Sequence, residues 1–161
     1  MKNLKNIHIL IIVLGILFLG ITIFHENMWF DESYTVAIVN HSYSEIWEIG
    51  GNDVHPIFYY FILKTISLIF GSNILVFRIF SLVPLAILAI LGFTHIRKDF
   101  GEKCGIIFSF LILFLPEMTR YAGELRMYSW AMLFTSLTAI YAYRLYKQKC
   151  KGNLPRCYMS T

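Results

Sequence analysis

Three short clusters hold the side chains of this sequence that could carry out chemistry. Asp31 and Glu32 lie side by side in the first cluster, His55 precedes Pro56 in the second, and the third runs over residues 121–128. Acidic, basic and tyrosine side chains are the groups that move protons and hold anions in enzymes. A carboxylate that faces a poorly hydrated cavity has a raised pKa, which brings it towards the range of a useful base. Whether these residues act together depends on the elements that position them.

The first two clusters each have a structural and a functional interpretation. Asp31 could cap a short helix, with Glu32 solvated beside it, because Asp is a favoured N-cap residue. Pro56 suits the first helical position, so a helix is predicted to open at His55. The free N–H groups and positive dipole end of that helix, joined by the imidazole, would suit a phosphate at the depth of lipid headgroups. The alternative is a His55 side chain that only extends into the interface.

The third cluster is rich in charge and lies close to an apolar segment. Arg120, Glu124 and Tyr128 are spaced by four residues, which predicts one helical face, while Arg126 points elsewhere. Mutual neutralisation of Arg120 and Glu124 is the structural interpretation, whereas a charge buried near a membrane generally has a partner or a function. Arg78, near the start of another apolar run, is predicted to extend to a lipid phosphate.

The composition of the chain is that of a membrane protein. The 161 residues are 57% hydrophobic and 15% charged, with a mean hydropathy of +0.61. Soluble chains are about 45–50% apolar and about 25% charged, so the apolar excess must face lipid. This composition excludes a soluble globular domain and a disordered chain, and the scattered Lys and Arg residues do not form the patch that binds nucleic acid. The Cys, His and acidic residues show no recognised metal-ligand spacing, so we expect no cofactor and no metal.

Five apolar segments are candidates for crossing the membrane, which requires about 20 residues per helix. The first is not interpreted as a cleaved signal peptide, because its apolar run is long and no small-residue cleavage site precedes His25. The segments cover residues 7–24, 56–70, 74–94, 104–116 and 127–143.

The distribution of charge selects which of these segments cross, because short cytoplasmic loops accumulate Lys and Arg. If all five cross, eight of the fourteen basic residues fall outside. If segment 56–70 lies in the interface and the other four cross, ten of the fourteen fall inside and eight of the ten acidic residues fall outside. The sequence therefore predicts four spans, a cytoplasmic N-terminus and an outer loop at 25–55. Within this loop, Ser42 and Glu45 have the spacing of a capping box, and Gly50 and Gly51 predict the end of that helix.

Four motifs in this order resemble the GT-C membrane glycosyltransferases over residues 8–146. The nearest branch is the protein mannosyltransferase-like group, family 39, which includes the rhizobial lipopolysaccharide galacturonosyltransferases and the aminoarabinose transferases. Two positions differ, since Ile57 stands where a second Pro is usual and Gly123 where Gln is common. The motifs are Trp-x-Asp-Glu ending at Glu32, Asp-x-His-Pro ending at Pro56 and followed by Tyr59 and Tyr60, Arg78 with Ser81, and Tyr-Ala-x-Glu-x-Arg-Met-Tyr ending at Tyr128.

The resemblance implies a fold and a reaction. The fold is an all-α integral membrane protein with about four transmembrane helices and two juxtamembrane helices in the first outer loop. The reaction transfers a mannose-like sugar from a polyprenyl or dolichyl phosphate to an acceptor on the outer face of the cell membrane, with inversion at the anomeric carbon. By the same resemblance the catalytic residues are Asp31, Glu32 and Glu124, with Asp31 as the base, and the donor phosphate is bound by His55 and Arg126.

Length sets the expected domain organisation and partners. Residues 1–146 are expected to form a truncated GT-C-like module and residues 147–161 a basic cytoplasmic tail. Family members continue through several more spans, so we expect a fragment of a longer enzyme, or a chain that acts with a partner chain completing the missing spans. The lipid-linked sugar donor and the membrane are the other expected partners, and no nucleic acid is expected. The alternative function is a non-catalytic or degenerate membrane protein that binds lipid phosphate or a partner chain.

Overall fold

The computed structural model describes residues 2–24, 28–53 and 55–152, without the side chains of residues 2 and 150–152. Within these ranges most residues are helical and no strand is present, so the predicted all-α fold class is confirmed. A short π-helical segment, Gly92–Ile96, joins α5 to α6. The α-helices are α1 (Lys2–Thr22), α2 (Phe30–Asn40), α3 (Tyr43–Gly51), α4 (Ile57–Phe70), α5 (Ile74–Leu91), α6 (Arg97–Phe100), α7 (Glu102–Phe114), α8 (Pro116–Gly123) and α9 (Tyr128–Gly152).

Five of these helices, α1, α5, α7, α8 and α9, pack into a bundle with an apolar centre. Leu19, Leu85, Leu88 and Leu113 are fully buried in it. Many other large apolar side chains of α1 are exposed on the outside, which is the pattern of a helix that faces lipid rather than water.

Two helices in the described part of the chain are long and apolar enough to cross a membrane: Asn3–Thr22 and Ile74–Phe100. The pair formed by α7 and α8 is bent by 59° and becomes a third if it is one broken span. Pro116 lies at the start of α8 and lacks the N–H group that would continue α7, which explains the bend. By length and composition, two or three of the described helices could therefore cross a membrane.

α9 differs from the fourth predicted span, at 127–143. It has 25 residues, but it is not among the described helices that are apolar enough to cross, because Ser, Thr and Tyr recur along it and Arg144 lies within it. The count of four spans stays a prediction. The helix continues to Gly152, so the predicted tail begins inside α9, and residues 153–161 lie outside the described residues.

α2, α3 and α4 form a second layer over the end of the bundle where α5 begins, and we call this layer the cap. Its own core contains Ile38, Ile46, Tyr60 and Leu63, packed with Phe77 of α5. α4 has only 14 residues, which is short for a span and agrees with a position in this layer.

α3 begins as predicted. The Ser42 Oγ accepts from the Glu45 N–H at 3.4 Å, and the Glu45 carboxylate accepts from the Ser42 N–H at 2.8 Å. These two bonds form a capping box, and the helix ends at Gly51, where the glycine pair predicted its end.

α2 begins two residues earlier than predicted. Trp29 is its N-cap residue, and the Trp29 N–H donates to Glu32 Oε2 at 3.1 Å. The prediction that Asp31 caps this helix is therefore wrong, because Glu32, three residues after the cap, takes that role. α4 starts at Ile57, one residue later than predicted, with Pro56 as its N-cap residue.

Candidate active site

A cleft of about 800 Å³ lies where the cap meets the bundle. Its walls come from the end of α1, the start of α2, and α8 with the residue that follows it. Its lining combines aromatic side chains with two carboxylates and a guanidinium. The lining residues are Phe18, Thr22, Trp29, Phe30, Asp31, Thr119, Arg120, Gly123 and Glu124.

Asp31 and Glu124 bring acidic groups from two distant parts of the chain to this cleft. The Asp31 side chain is 50% exposed, and its Oδ1 lies 3.2 Å from Nη2 of Arg126. The Glu124 side chain is 11% exposed, and its Oε2 lies 3.6 Å from Nε of Arg120. Burial raises the pKa of Glu124, and the positive charge of Arg120 offsets this only in part. The cleft therefore contains one carboxylate that is open to a ligand and a second whose pKa is raised.

The predicted pairing of Arg120 with Glu124 is confirmed. Tyr128, however, does not share a helical face with these two residues. α8 stops at Gly123 and α9 starts at Tyr128, so Tyr128 belongs to another helix. Its ring stays close to that of Tyr121, with centroids 5.9 Å apart.

The turn between α8 and α9 is fixed against α2. The buried Thr35 hydroxyl lies 3.1 Å from the Leu125 carbonyl and 3.0 Å from the Asp31 carbonyl of its own helix, and the two carbonyls share its single proton. Within the turn, the Arg126 N–H donates to the Glu124 carbonyl at 2.8 Å. This turn carries Glu124 to the cleft and places Arg126 beside Asp31.

Glu32 points away from the cleft and into the protein. Its side chain is fully buried, and both oxygens accept from Arg78, from Nε at 3.0 Å and from Nη2 at 2.9 Å. Arg78 is 1% exposed, so the prediction that it extends to a lipid phosphate is wrong. A guanidinium removed from water needs a paired acid, and Glu32 supplies it. The catalytic role of Glu32 stays a prediction, and its place among the described residues is that of a support beneath the cleft.

His55 and Arg126 lie behind the cleft, in a chain of polar contacts. Nη1 of Arg126 donates to the Tyr60 hydroxyl at 3.4 Å, and that hydroxyl donates to Asp53 Oδ2 at 2.9 Å. Asp53 Oδ1 lies 3.0 Å from Nδ1 of His55. The three sequence clusters therefore meet in one connected set. Neither His55 nor Arg126 lines the cleft itself, and their phosphate-binding roles stay predictions.

The groups that line the cleft can exchange protons through their carboxyls and attract an anion through Arg120. Within the described residues, no group of three His, Cys, Asp or Glu side chains is arranged to hold a metal ion.

Nothing matches the chain among protein-family models, curated proteins or solved structures.

Sequence reasoning gave no role to Asp53 or Tyr60, although both stand in or beside a quoted motif. Their contacts with Arg126 cannot be read from sequence spacing, because these side chains are brought together only by the packing of the cap against the rest of the protein. The pairing of Glu32 with Arg78 had a clearer signal, since an Arg in an apolar segment requires an acidic partner at the same depth.

Proposed function

We propose that this protein is a membrane glycosyltransferase that transfers a mannose-like sugar from a polyprenyl or dolichyl phosphate to an acceptor on the outer face of the cell membrane. The observation that carries the proposal is the cleft, because Asp31 and Glu124 share one cavity beside an apolar helix long enough to cross a membrane. An amphipathic donor needs a cavity of this kind, with an apolar wall for the isoprenoid and polar groups for the sugar. The motifs that resemble GT-C glycosyltransferases contribute both of these acids.

Asp31 acts as the base in this proposal. It takes the proton of the acceptor hydroxyl while the acceptor oxygen forms its bond to the anomeric carbon. The bond from that carbon to the phosphate oxygen breaks with inversion, and the electron pair leaves on the phosphate. Because the phosphate departs already ionised, it needs positive charge nearby rather than an acid. Glu124 is the second acidic group, and its raised pKa suits a carboxyl that shares a proton with sugar hydroxyls.

The donor phosphate is attracted by guanidinium and imidazole groups. Arg120 lines the cleft with a side chain that is 62% exposed, so it has direct access to a ligand. His55 and Arg126 are the phosphate-binding residues of the resemblance, and each contacts a protein carboxylate, Asp53 and Asp31 respectively. A phosphate that binds to them has to compete with those carboxylates.

The proposed topology follows from the charges. Four spans with a cytoplasmic N-terminus, with α9 as the fourth and α4 in the interface, put the cap and the cleft outside. A partner chain that supplies the further spans of the family would enlarge the cavity for the donor.

Sugar transfer in membranes tests the proposal. Membranes that contain the full chain are incubated with polyprenyl phosphate carrying radiolabelled mannose or galacturonic acid, and the label reaching the lipid and protein fractions is compared with that in membranes lacking the chain. We expect transfer, with the inverted anomeric configuration in the product. Donor consumption no faster than in the control membranes would contradict the proposal, and donor binding without consumption would favour the non-catalytic alternative.

A further inference from the structure

Two residues without a role in the proposed reaction, Asp53 and Tyr60, connect the cap to the carboxylate at the cleft. Tyr60 lies on α4 and is fully buried. Its hydroxyl stands between Asp53, at 2.9 Å, and Arg126, at 3.4 Å. Arg126 in turn lies 3.2 Å from Asp31. A continuous series of contacts therefore leads from Asp53 to Asp31.

The direction of these hydrogen bonds is fixed. A tyrosine hydroxyl has one proton to donate, and here it donates that proton to Asp53. Burial, together with the Asp53 carboxylate, raises the pKa of Tyr60, so the hydroxyl keeps its proton. Its lone pair then faces Arg126, which can only donate. Because Asp53 takes the proton of the Tyr60 hydroxyl in a hydrogen bond, the Tyr60 oxygen is left to accept from the Arg126 guanidinium.

Arg126 depends on these few contacts. Its side chain is 6% exposed, and its Nε has no hydrogen bond within the described part of the chain. The Tyr34 ring lies 5.7 Å from its guanidinium carbon. Removing the Tyr60 hydroxyl would take the acceptor from Nη1 as well, and a buried guanidinium with unsatisfied donors shifts until it finds other partners.

We propose that Tyr60, oriented by Asp53, is a positioning residue that holds Arg126 against Asp31 and thereby fixes the Asp31 carboxylate at the cleft. The inference rests on the proposed function for its catalytic consequence. The chain of contacts itself is a property of the fold and can be tested without any substrate.

The neighbouring Tyr59 supplies a matched control. It lies on the same helix and is 6% exposed, and no hydrogen bond joins its hydroxyl to Asp53, Tyr60 or Arg126. Tyr59→Phe and Tyr60→Phe therefore each remove a hydroxyl oxygen from adjacent buried sites. Only Tyr60→Phe breaks the series of contacts from Asp53 to Asp31.

The first arm of the experiment measures sugar transfer by the full chain in membranes. Tyr60→Phe should lower kcat about tenfold to a hundredfold, because a displaced catalytic group loses its alignment. It should change KM for the polyprenyl phosphate sugar by a smaller factor than kcat, although Arg126 also belongs to the proposed phosphate site. Tyr59→Phe should transfer at the wild-type rate. In an Arg126→Lys background Tyr60→Phe should have no further effect, because its influence passes through Arg126. A loss that stays independent of Arg126 would overturn the inference.

The second arm measures Tm in detergent for the same variants and does not require activity. Tyr60→Phe should lower Tm, its effect should shrink in the Arg126→Lys background, and Tyr59→Phe should not lower Tm. If Tyr59→Phe and Tyr60→Phe lower Tm equally, the proposed series of contacts from Asp53 to Asp31 is contradicted, even if the wild type transfers sugar. If the Tm coupling is present but the wild type transfers no sugar, the proposed function and the positioning role fail while the chain of contacts stands.

Discussion

Adjacent acids in this protein occupy opposite environments, and helix geometry explains why. Asp31 and Glu32 follow one another on α2, so their side chains leave the helix about 100° apart. Glu32 meets Arg78 in the interior, whereas Asp31 meets the cleft. The buried pair of Glu32 and Arg78 helps to position Asp31, because the Glu32 carboxylate also accepts from the Trp29 N–H at the start of the helix that carries Asp31.

Glu32→Gln should destabilise the protein by about 3–5 kcal/mol, because it removes the buried carboxylate that accepts from both Nε and Nη2 of Arg78. Thermal or denaturant unfolding of the purified protein in detergent measures the change. Glu45→Gln is the matched control, since Glu45 holds the same capping position in α3 but is exposed, and Gln can cap as Glu does. We expect its Tm to stay near that of the wild type, and similar losses in both variants would contradict the assignment.

The partly buried carboxyl of Glu124 should make the stability of the protein depend on pH. Below about pH 4, near the ordinary pKa of Glu, the group is protonated in both the folded and the unfolded protein. As the pH rises through the raised folded pKa, ionisation favours the unfolded state and stability is lost. Glu124→Gln should therefore match the wild type near pH 4 and have the higher Tm at pH 8.

A series of Tm measurements against pH checks this sign. Glu117→Gln, at an exposed position of α8, is the control. Its Tm should differ from that of the wild type by the same amount at every pH. If the Tm difference between Glu124→Gln and the wild type narrows as the pH rises, burial does not raise the pKa of Glu124.

At the scale of the elements, the bundle depends on close approach and on a few polar links. A Cβ added to Gly15 of α1 would lie 2.6 Å from the Leu113 Cβ of α7. Nε2 of His8, on the same helix, lies 2.8 Å from Ser109 Oγ, which donates to the Ala89 carbonyl of α5 at 2.8 Å. Lipid is as apolar as these side chains, so tight packing and interhelical hydrogen bonds are what hold membrane helices together.

Gly15→Ala should destabilise the protein by about 1–3 kcal/mol, because the added methyl group overpacks the contact between α1 and α7. Gly20→Ala, on the same helix, is the control, since its Cβ would meet nothing within 4 Å. It should be neutral or stabilise by up to about 1 kcal/mol, because Ala forms helices better than Gly. Unfolding in detergent distinguishes the two, and a tolerated Gly15→Ala would contradict the packing.

Sequence reasoning succeeded where the signal is local and failed where packing decides. The cap of α3 follows from Ser42 and Glu45, three residues apart, and the pair of Arg120 with Glu124 follows from helical spacing. The start of α2 was predicted wrongly, because Asp is a favoured N-cap residue, whereas Trp29 is the N-cap residue and Glu32 accepts from its N–H three residues later. The contacts of Glu32 with Arg78 join distant residues, which no periodicity reveals.

At the scale of the whole molecule, charge is sorted between two ends. The cap end holds the acids of the cleft and of the loop around α3. The other end, where α6 leads into α7, holds a run of basic residues, and Asp99 there pairs with Arg144 of α9 at 2.7 Å. Basic residues concentrate on the cytoplasmic side of membrane proteins, which is the basis of the proposed orientation.

Cysteine labelling of intact cells tests this orientation. In a chain whose own cysteines are replaced by Ser, Asn52→Cys in the cap should react with a membrane-impermeant maleimide, and Lys98→Cys at the opposite end should not. Both positions are exposed, and permeabilised cells, in which both should react, provide the control. Labelling of Lys98→Cys in intact cells would contradict the topology.

In the proposed reaction, Asp31 removes the proton of the acceptor hydroxyl. The most direct measurement is the rate of sugar transfer from polyprenyl phosphate by Asp31→Asn in membranes, per molecule of folded protein as judged by Tm and yield. We expect turnover to fall about 10²-fold to 10⁴-fold, the contribution of a positioned base, while Glu117→Gln on α8, outside the cleft, keeps the wild-type rate. Wild-type turnover by Asp31→Asn would contradict the account.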